Sequence, residues 1–384
     1  MSWKEKTVEQ SREEFVLAAL SGEENISQLC RRYGISRPTG YKWIQRYQAG
    51  EELSDRSRRP RGQPSRTSPE MEALILKTRT QHPTWGGRKL VRYLQEKGYQ
   101  DLPAASTATA ILKREGRITP EDSAAHRPYR RFQKEEPNAL WQMDFKGHFA
   151  MRDGTRCHPL TMSDDCSRKL LCLDAYDNER WEGVEQSLLR VFSEYGLPDA
   201  ILSDNGTPWG NHVNGYTPFE VWMMQLGILP MHGRPQHPQT QGKEERFHRT
   251  LKEDVLMRQT IQDLSEAQQI FDAYREEYNL ERPHAALDYD VPEKHYHRSA
   301  RELPSTWGEP EYDSGATLRK ISHRGYLTIQ SHRYYLSESF IGKYVQLHFQ
   351  PKDMVNVCYG AYKIAKIDLS ERLFVSRKIY PRNL

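Results

Sequence analysis

The arrangement of apolar and polar residues changes twice along the chain. Apolar residues recur at helical spacing over residues 25–47 and again over 68–116, and a polar, arginine-rich stretch follows each of these segments. From Leu140 onward the apolar residues come in short runs separated by turn residues, which is typical of strands. We therefore predict two helical units, then a mixed α/β layer, and a β-rich tail beyond residue 300.

The first helical stretch, NISQLCRRYGISRPTGYKWIQRY, predicts a helix-turn-helix motif. Asn25 and Ser36 are suitable N-caps for its two helices, and Gly34 suits the end of the first one. We expect the packed side to consist of Ile26, Leu29, Ile35, Tyr41, Ile44 and Tyr47. We expect the outward side, which would enter the DNA major groove, to present Arg37, Lys42, Gln45 and Arg46. The alternative is a small helical bundle with a solvated basic face.

Shifts in composition predict six segments. They are a helix-turn-helix domain (1–50), a basic linker (51–68), a second helix-turn-helix domain (69–118), a second linker (119–137), an α/β core (138–300) and a β-rich domain (301–384). The first linker would track phosphates or enter a narrow minor groove through Arg58, Arg59 and Arg61, or would serve only as a solvated tether. Period-two alternation in the last segment predicts a small β-barrel or a sandwich.

Charge is spread unevenly along the chain. Residues 1–135 carry 26 Lys/Arg and 17 Asp/Glu, residues 136–300 carry 17 and 27, and residues 301–384 carry 13 and 8. Basic ends can bind phosphates by releasing counterions. An acidic middle does not bind DNA unaided, but it can do so when its carboxylates hold divalent cations.

Other features of the composition restrict the class of protein. The chain has no apolar run long enough to cross a bilayer, and its N-terminus has no apolar segment of the secretory kind. The five cysteines are scattered without a C-x-x-C pair, so neither a zinc site nor a disulfide framework is indicated. We expect a cytoplasmic protein without membrane association.

Three acidic residues lie where the ends of strands and helices would gather them. Asp144 lies inside the first strand of the core, WQMDF, where a buried acid is costly unless something pairs with it. Asp204 ends the strand in ILSDNG, at the rim where α/β proteins bind ligands. Glu245 lies in the first turn of the helix in HPQTQGKEERFHRTLKED.

Helical phase separates Glu245 from its neighbour Glu244. At about 100° per residue, Glu244 points toward the apolar stripe of the helix, and Glu245 lies on the flank. The apolar stripe consists of Phe247, Leu251 and Val255. The flank carries residues that would meet phosphate, namely His248, Arg249 and Lys252, and Lys243 would add to them.

Four stretches in order, WQMDF, SDNGTPW, HPQTQGKEERFHRTLK and YNLERPHAAL, resemble the core of DDE transposases. More narrowly, they resemble those of bacterial insertion sequences whose core is similar to retroviral integrase. The resemblance implies an RNase H-like fold for residues 138–300 and a catalytic triad of Asp144, Asp204 and Glu245. It also implies two Mg²⁺ ions held by the triad, for which Mn²⁺ would substitute. The family usually carries an apolar residue where this chain has Glu244.

The resemblance also implies an activity and partners. The protein would bind terminal inverted repeats, cleave DNA ends and transfer the strand to target DNA, with two ends held by at least a dimer. Its partners would be double-stranded transposon ends and target DNA, and its location the nucleoid. Two alternatives stay open, which are a non-catalytic DNA-binding regulator and an RNase H-like nuclease.

Several other residues suit structural roles better than chemical ones. We expect Trp85 and Trp141 to be core aromatics, and Asp164 and Asp165 to act as turn and capping residues. Arg282, Pro283 and His284 would close the core of the α/β domain.

Overall fold

Residues 7–56, 67–119, 133–206, 208–209, 215–233 and 242–382 are described by the computed structural model. The chain divides into two units between residues 66 and 67. Arg58, Arg59 and Arg61, which we expected to contact DNA, lie outside the described residues. No helix in the described part of the chain combines the length and apolar character needed to cross a membrane.

The first unit has three helices, which are α1 (Val8–Ser21), α2 (Ile26–Arg32) and α3 (Arg37–Gln48). Both predicted caps are confirmed, because the Asn25 side chain accepts from the backbone N–H of Ser27 and Ser36 accepts from that of Thr39. Helix α1 was not predicted, although it supplies Phe15 and Val16 to the core.

The buried face of α3 differs from the expected one. It centres on Gly40 and Trp43, and a Cβ at Gly40 would lie only 2.8 Å from Cys30 Sγ. Tyr41 and Tyr47 were expected in the core but are 51% and 38% exposed, so that expectation is wrong. Tyr41 turns about 100° away from Gly40 along the helix, toward solvent.

The second unit begins with three helices as predicted, α4 (Pro69–Gln81), α5 (Gly87–Glu96) and α6 (Ala105–Arg114). Ser68 caps α4 by accepting from the backbone N–H of Met71. The three helices pack around Trp85, which is buried as expected. Gly87 lets α5 approach α6, since a Cβ there would lie 2.6 Å from the carbonyl of Ala105.

A mixed sheet forms the centre of the α/β core. Its strands are β1 (Trp141–Phe145), β2 (Phe149–Ala150), β3 (Arg156–Asp164), β4 (Leu170–Tyr176), β5 (Ala200–Ser203) and β6 (Leu229–His232). Strand β3 pairs antiparallel with β1 and β4, whereas β1 pairs parallel with β5, and β5 with β6. The sheet therefore runs β3–β1–β5–β6, with both β2 and β4 pairing antiparallel with β3, and the expectation of a mixed sheet is confirmed.

Helices cover both faces of this sheet. They are α7 (Trp181–Tyr195), α8 (Pro218–Gln225), α9 (Gly242–Leu251, extended by a π-helical turn, Lys252–Leu256) and α10 (Leu264–Leu280). Helices α7 and α8 pack with Trp141 and Leu160 in one cluster, and α9 and α10 pack with Cys157 and Leu173 in another. The result is a helix–sheet–helix sandwich.

The tail is β-rich as predicted. Its strands are β7 (Leu318–Lys320), β8 (Tyr326–Ile329), β9 (His332–Tyr335), β10 (Tyr344–Gln350), β11 (Met354–Tyr359), β12 (Tyr362–Asp368), β13 (Leu373–Ser376) and β14 (Tyr380–Pro381). Strands β8 and β9 form a separate hairpin, and the others form a six-stranded sheet ordered β13–β12–β11–β10–β7, with β14 beside β12. Among the described strands this sheet does not close on itself, so the predicted barrel is not confirmed.

Candidate active site

Asp144 and Asp204 lie at the same edge of the central sheet. Strands β1 and β5 are parallel, with Trp141 opposite Ile201 and Gln142 opposite Leu202. Continuing this register places Asp144, the fourth residue of β1, level with Asp204, which directly follows β5. The carboxyl ends of neighbouring parallel strands thus bring the two acids to one rim.

The carboxyl of Asp144 is in an environment that disfavours its charge. Burial is the largest cause, and the negative charges of Glu244 and Asp204 add to it, so that the pKa of Asp144 rises to about 8. Like charges that crowd a half-buried carboxyl raise its pKa because the ionised form is repelled. A cation bound at this rim would reverse that effect.

A turn fixed by hydrogen bonds holds Asp204. Its Oδ1 accepts from the backbone N–H of Gly206 at 3.0 Å, as expected for a turn former in SDNG. Its backbone oxygen lies 2.8 Å from His232 Nδ1, and His232 Nε2 lies 3.1 Å from Glu220. Burial alone would lower the pKa of His232, but the hydrogen bonds and negative charges of Glu220 and Asp204 together outweigh burial and raise it.

The first turn of α9 places its two glutamates in different surroundings. Glu244 is buried together with Phe247 and Leu251, whereas Glu245 is exposed. The predicted helical phase is confirmed at these positions. Burial raises the pKa of Glu244 to about 7, although hydrogen bonds from Ser163 and Thr161 oppose the rise. The structure thus brings Asp144 close to Asp204 and Glu244, and it leaves Glu245 at the solvent-facing side of the helix.

Basic residues flank the carboxylates. Arg249 and Lys252 are exposed on α9, as expected for residues that meet phosphate. Burial lowers the pKa of Lys146, and the positive charge of Lys252 lowers it further. Lys146 was not predicted as a site residue, although its position two residues after Asp144 in an extended segment indicates the same face of the sheet.

Lys243 and His248 do not face outward as expected. The Lys243 ammonium forms an ion pair with the buried carboxylate of Asp165, and burial lowers its pKa to about 8. His248 Nε2 lies 2.9 Å from Thr161 Oγ1, and burial followed by the charge of Lys146 lowers its pKa to about 4. The expected orientation toward phosphate is wrong for both. Lys243 turns toward the buried Asp165, and His248 shares the inner side of α9 with Glu244.

The predicted groove-facing residues of α3 divide in a similar way. Arg37, Lys42 and Gln45 are exposed, as expected. Arg46 is not, since its side chain is 11% exposed, pairs with Glu51 and lies 5.0 Å from the centre of the Trp43 ring. Its guanidinium also donates to the carbonyls that follow α3, at positions 52 and 54. The outward orientation predicted for Arg46 is therefore wrong, because the segment after α3 folds back over it.

Asp254, on the π-helical turn after α9, joins the second helical region to the core. It forms an ion pair with Arg282 and accepts from Tyr274 at 2.9 Å and from Thr84 at 2.5 Å. The expected structural role of Arg282 is confirmed by this buried pair. His82, which precedes α5, lies 2.9 Å from Glu277 of α10 and adds a second link.

The remaining structural predictions also agree with the contacts. Asp164 accepts from the backbone N–H groups of Ser167 and Asn138, which is a capping role. The His284 ring lies against Tyr278, with ring centres 4.6 Å apart, and burial holds its pKa well below the ordinary value.

The oxygen-rich rim suits a divalent cation. Within the described ranges no group of three or more His, Cys, Asp or Glu side chains is gathered closely enough to hold a metal. Asp144 and Asp204 nevertheless supply carboxylate oxygens, the ligands preferred by Mg²⁺ and Mn²⁺. Burial, Glu244 and Asp204 all disfavour the charged form of Asp144, and a bound cation would favour it.

Family models match most of the part of the chain before the β-rich tail. Models described as integrase core domains match residues 134–238 and 226–292. A helix-turn-helix domain model matches residues 11–61, and a homeodomain-like domain model matches residues 39–112. The helical regions are therefore similar to helix-turn-helix and homeodomain-like domains, and the α/β core is similar to integrase core domains.

Two relatives are proteins of bacterial insertion elements. The chain is 25% identical over 175 residues to an uncharacterized protein of element IS407 from Burkholderia multivorans, covering 45% of this chain and 61% of that protein. It is 26% identical over 150 residues to an uncharacterized protein of element IS476 from Xanthomonas euvesicatoria, covering 39% and 42%. The chain thus spans less than two thirds of these relatives.

A solved structure of the HTLV-2 integrase catalytic core in complex with magnesium matches at 16% identity. The match covers 42% of this chain and 98% of that one, with a TM-score of 0.32. The similarity of the α/β core to integrase core domains is therefore based on its strand order and on the family models.

Proposed function

We propose that this chain, an integrase-core protein related to those of bacterial insertion elements, is a DNA transposase. It would bind the terminal inverted repeats of its element, cleave phosphodiester bonds at the ends and join the ends to target DNA. The observation that carries the proposal is the placement of Asp144 and Asp204 level with each other at the ends of adjacent parallel strands.

Asp144, Asp204 and Glu245 would hold two Mg²⁺ ions, and Mn²⁺ would substitute. When bound, such ions activate an attacking oxygen and stabilise the leaving oxygen of a phosphodiester. Glu245 is exposed at the start of α9, so its carboxylate is accessible to a metal ion and to DNA. The chain itself supplies oxygen ligands and positions them, and no covalent enzyme intermediate is needed.

Cationic side chains around the carboxylates would bind the DNA backbone. Arg249 and Lys252 are exposed on α9, and the positive charge of Lys252 acts on Lys146. Phosphate contacts of this kind fix the position of a duplex without reading its sequence. They would hold the scissile phosphate against the acidic rim.

Sequence recognition would come from the helical regions. In the domain of residues 1–50, the exposed Arg37, Lys42 and Gln45 of α3 suit contacts in the major groove. The arginine-rich linker of residues 51–68, the domain of residues 69–118 and the β-rich domain of residues 301–384 would add further contacts. Because two DNA ends must be joined to one target, the active form would be a dimer or a larger multimer.

Strand cleavage and joining test the proposal. The substrate is duplex DNA carrying the sequences that flank this gene, incubated with Mg²⁺, with Mn²⁺ or with EDTA. Wild type is compared with Asp144→Asn, Asp204→Asn and Glu245→Gln, and with Glu253→Gln as an exposed glutamate control on the same helix. We expect products that require metal, unchanged in the control variant. A metal contributes several kcal/mol to phosphoryl chemistry, so losing a ligand would slow the reaction by about 10³-fold.

Two results would redirect the proposal. A folded wild-type protein that binds these ends but forms no product with either metal would favour a non-catalytic regulator. Cleavage confined to the RNA strand of an RNA–DNA hybrid would favour an RNase H-like nuclease.

A further inference from the structure

The buried carboxylate of Glu244 contacts Thr161, the residue that stands opposite Asp144 in the sheet. Glu244, in the first turn of α9, is 1% exposed, and its carboxylate accepts from Thr161 Oγ1 at 3.0 Å and from the Ser163 hydroxyl. A buried carboxylate is costly unless hydrogen bonds satisfy its oxygens. Here each carboxylate oxygen has a hydroxyl partner, so the side chain is held in one orientation.

Both partners lie on one strand next to Asp144. Thr161 and Ser163 are alternate residues of β3, so they point to the same face of the sheet. Thr161 stands directly opposite Asp144 in the antiparallel pair of β3 and β1, and its hydroxyl lies 2.9 Å from the Asp144 carbonyl. One side chain thus contacts both the strand of Asp144 and the helix of Glu245.

The same hydroxyl contacts α9 a second time. His248 Nε2 lies 2.9 Å from Thr161 Oγ1, one helical turn beyond Glu244. Residues four apart lie on the same side of a helix, so Glu244 and His248 reach Thr161 together. A hydroxyl has one proton, so Thr161 donates at any moment either to the Asp144 carbonyl or to the Glu244 carboxylate, and its oxygen can accept from Nε2 of His248 when that nitrogen carries a proton.

A second anchor precedes Glu244 in the same turn. The Lys243 ammonium pairs with Asp165, which is 1% exposed and follows β3 directly. Asp165 is itself held by Gln142 of β1, whose Nε2 donates to it at 2.6 Å. Two successive residues of α9 are therefore fixed to β3 and β1 by polar contacts, which are directional.

We propose that Glu244 is a positioning residue that sets the rotation of α9 about its axis and thereby the direction of Glu245. Successive helical residues differ by about 100°, so fixing Glu244 against Thr161 and Ser163 fixes where the next side chain points. An apolar side chain would fill the same space but would impose no direction. This inference rests on the proposed role of Glu245 as a metal ligand.

The test compares Glu244→Val and Glu244→Gln with wild type in the full-length protein. It measures the half-saturating Mg²⁺ concentration, kcat, and KM for DNA, and also Mg²⁺ binding by calorimetry. Loss of groups that orient metal ligands costs about 10–100-fold in metal affinity or activity. We expect Glu244→Val to raise the Mg²⁺ requirement by about tenfold or more and to lower kcat, with an unchanged KM for DNA. Glu244→Gln retains one acceptor oxygen and should fall between Glu244→Val and wild type.

Matched variants separate positioning from general packing. Ser163→Ala removes one donor with little change in volume, so it should shift the Mg²⁺ requirement in the same direction by a smaller factor, even if Glu244→Val fails to fold. Combining Ser163→Ala with Glu244→Gln should give less than the product of the single effects, because both substitutions weaken the interaction of the same two side chains. Glu253→Gln, an exposed glutamate on the helical extension, should behave as wild type.

Three outcomes would overturn the inference. One is a wild-type Mg²⁺ requirement in folded Glu244→Gln and Ser163→Ala proteins. Another is a change in KM for DNA alone. The third is a wild-type protein that binds no Mg²⁺. A wild-type protein that binds Mg²⁺ without cleaving DNA would instead count against the proposed function, and calorimetry of the variants would still test the positioning role.

Discussion

At the scale of single residues, the acidic rim has a protonation state that depends on its surroundings. Burial is the main reason that the pKa of Asp144 rises from the ordinary 3.8 to about 8, and the negative charges of Glu244 and Asp204 add to the rise. Without a cation the side chain therefore holds its proton at neutral pH. Proton release would accompany metal binding, because a metal ligand must be deprotonated.

The contribution of Asp144 to the stability of the metal-free protein should fall as pH rises. Between about pH 4 and pH 8 the unfolded chain ionises this carboxyl, whereas the folded protein keeps it protonated, so the folded state binds more protons at this site. The contribution of Asp144 to the free energy of unfolding therefore falls with rising pH across this window. We expect Asp144→Asn, measured by urea unfolding in EDTA, to show a weaker fall than wild type. Parallel pH profiles for the two proteins would contradict the raised pKa of Asp144.

Some features of the candidate site could be predicted from the sequence, and others could not. Asp144 and Asp204 were predicted to be gathered at one site, because Asp144 is an acid inside the first apolar strand and Asp204 ends another strand. The inward direction of Glu244 followed from helical phase. Its partners Thr161 and Ser163 were not predictable, because they depend on the register of β3 against β1 and on where α9 crosses the sheet. His248 was misassigned for the same reason.

At the scale of elements, the helices carry polar groups in two settings, one exposed to solvent and one buried between helices. Helix α3 presents a cationic outer side, while α9 and α10 are joined to the region of α4–α6 by buried polar contacts centred on Asp254. The first arrangement suits binding to a partner, and the second suits stability. Each can be tested by substitution of arginines that differ in burial.

On α3, substitution of exposed cations should weaken DNA binding, whereas substitution of a buried cation should reduce stability. Arg37→Ala with Lys42→Ala removes two exposed cations, so DNA affinity should fall and the slope of log K against log salt should become shallower by about two. Arg46→Ala should instead reduce the free energy of unfolding by about 2 kcal/mol, since charge-assisted hydrogen bonds to two carbonyls are lost. Fluorescence anisotropy and urea unfolding measure the two effects. Weaker DNA binding by Arg46→Ala with unchanged stability would contradict its inward placement.

Arg282 and Arg258, the two arginine partners of Asp254, should contribute differently to the free energy of unfolding. Arg282→Met leaves a buried carboxylate without its closest cation, and we expect a loss of about 3–5 kcal/mol in the free energy of unfolding. Arg258→Met removes a partner at 3.4 Å that is 31% exposed, and should cost about 0–1 kcal/mol. Adding Asp254→Asn to Arg282→Met should recover part of the loss. Equal effects of the two arginine substitutions would refute the assignment of the buried pair.

Prediction of elements succeeded where local signals were strong. Helix α4 begins at Ser68–Pro69 as expected, and α7 ends before Gly196. Strand β6 was missed because LPMH is only four residues long and contains a proline, so its strand character depends on pairing with β5. Closure of the tail into a barrel was equally beyond local patterns, since alternation predicts strands but not which edges meet.

At the scale of the whole molecule, net charge and fold class change together from one part of the chain to the next. The basic first unit carries a helix-turn-helix, the acidic middle carries the carboxylate rim, and the basic tail carries an open sheet. An acidic core can approach DNA only if cations neutralise its rim and basic neighbours hold the phosphates. The integrase core matches over residues 134–238 and 226–292 agree with this division.

The most direct test of the account replaces a carboxylate oxygen at the rim by sulfur. Thiolate binds Mg²⁺ poorly and accepts softer metals better, so Asp204→Cys should cleave the element ends very slowly with Mg²⁺. We predict that Mn²⁺ restores part of the activity to Asp204→Cys but none to Asp204→Ala, which has no ligand atom. Equal cleavage by Asp204→Cys and wild type in Mg²⁺ would show that Asp204 holds no catalytic metal, and would contradict the central claim.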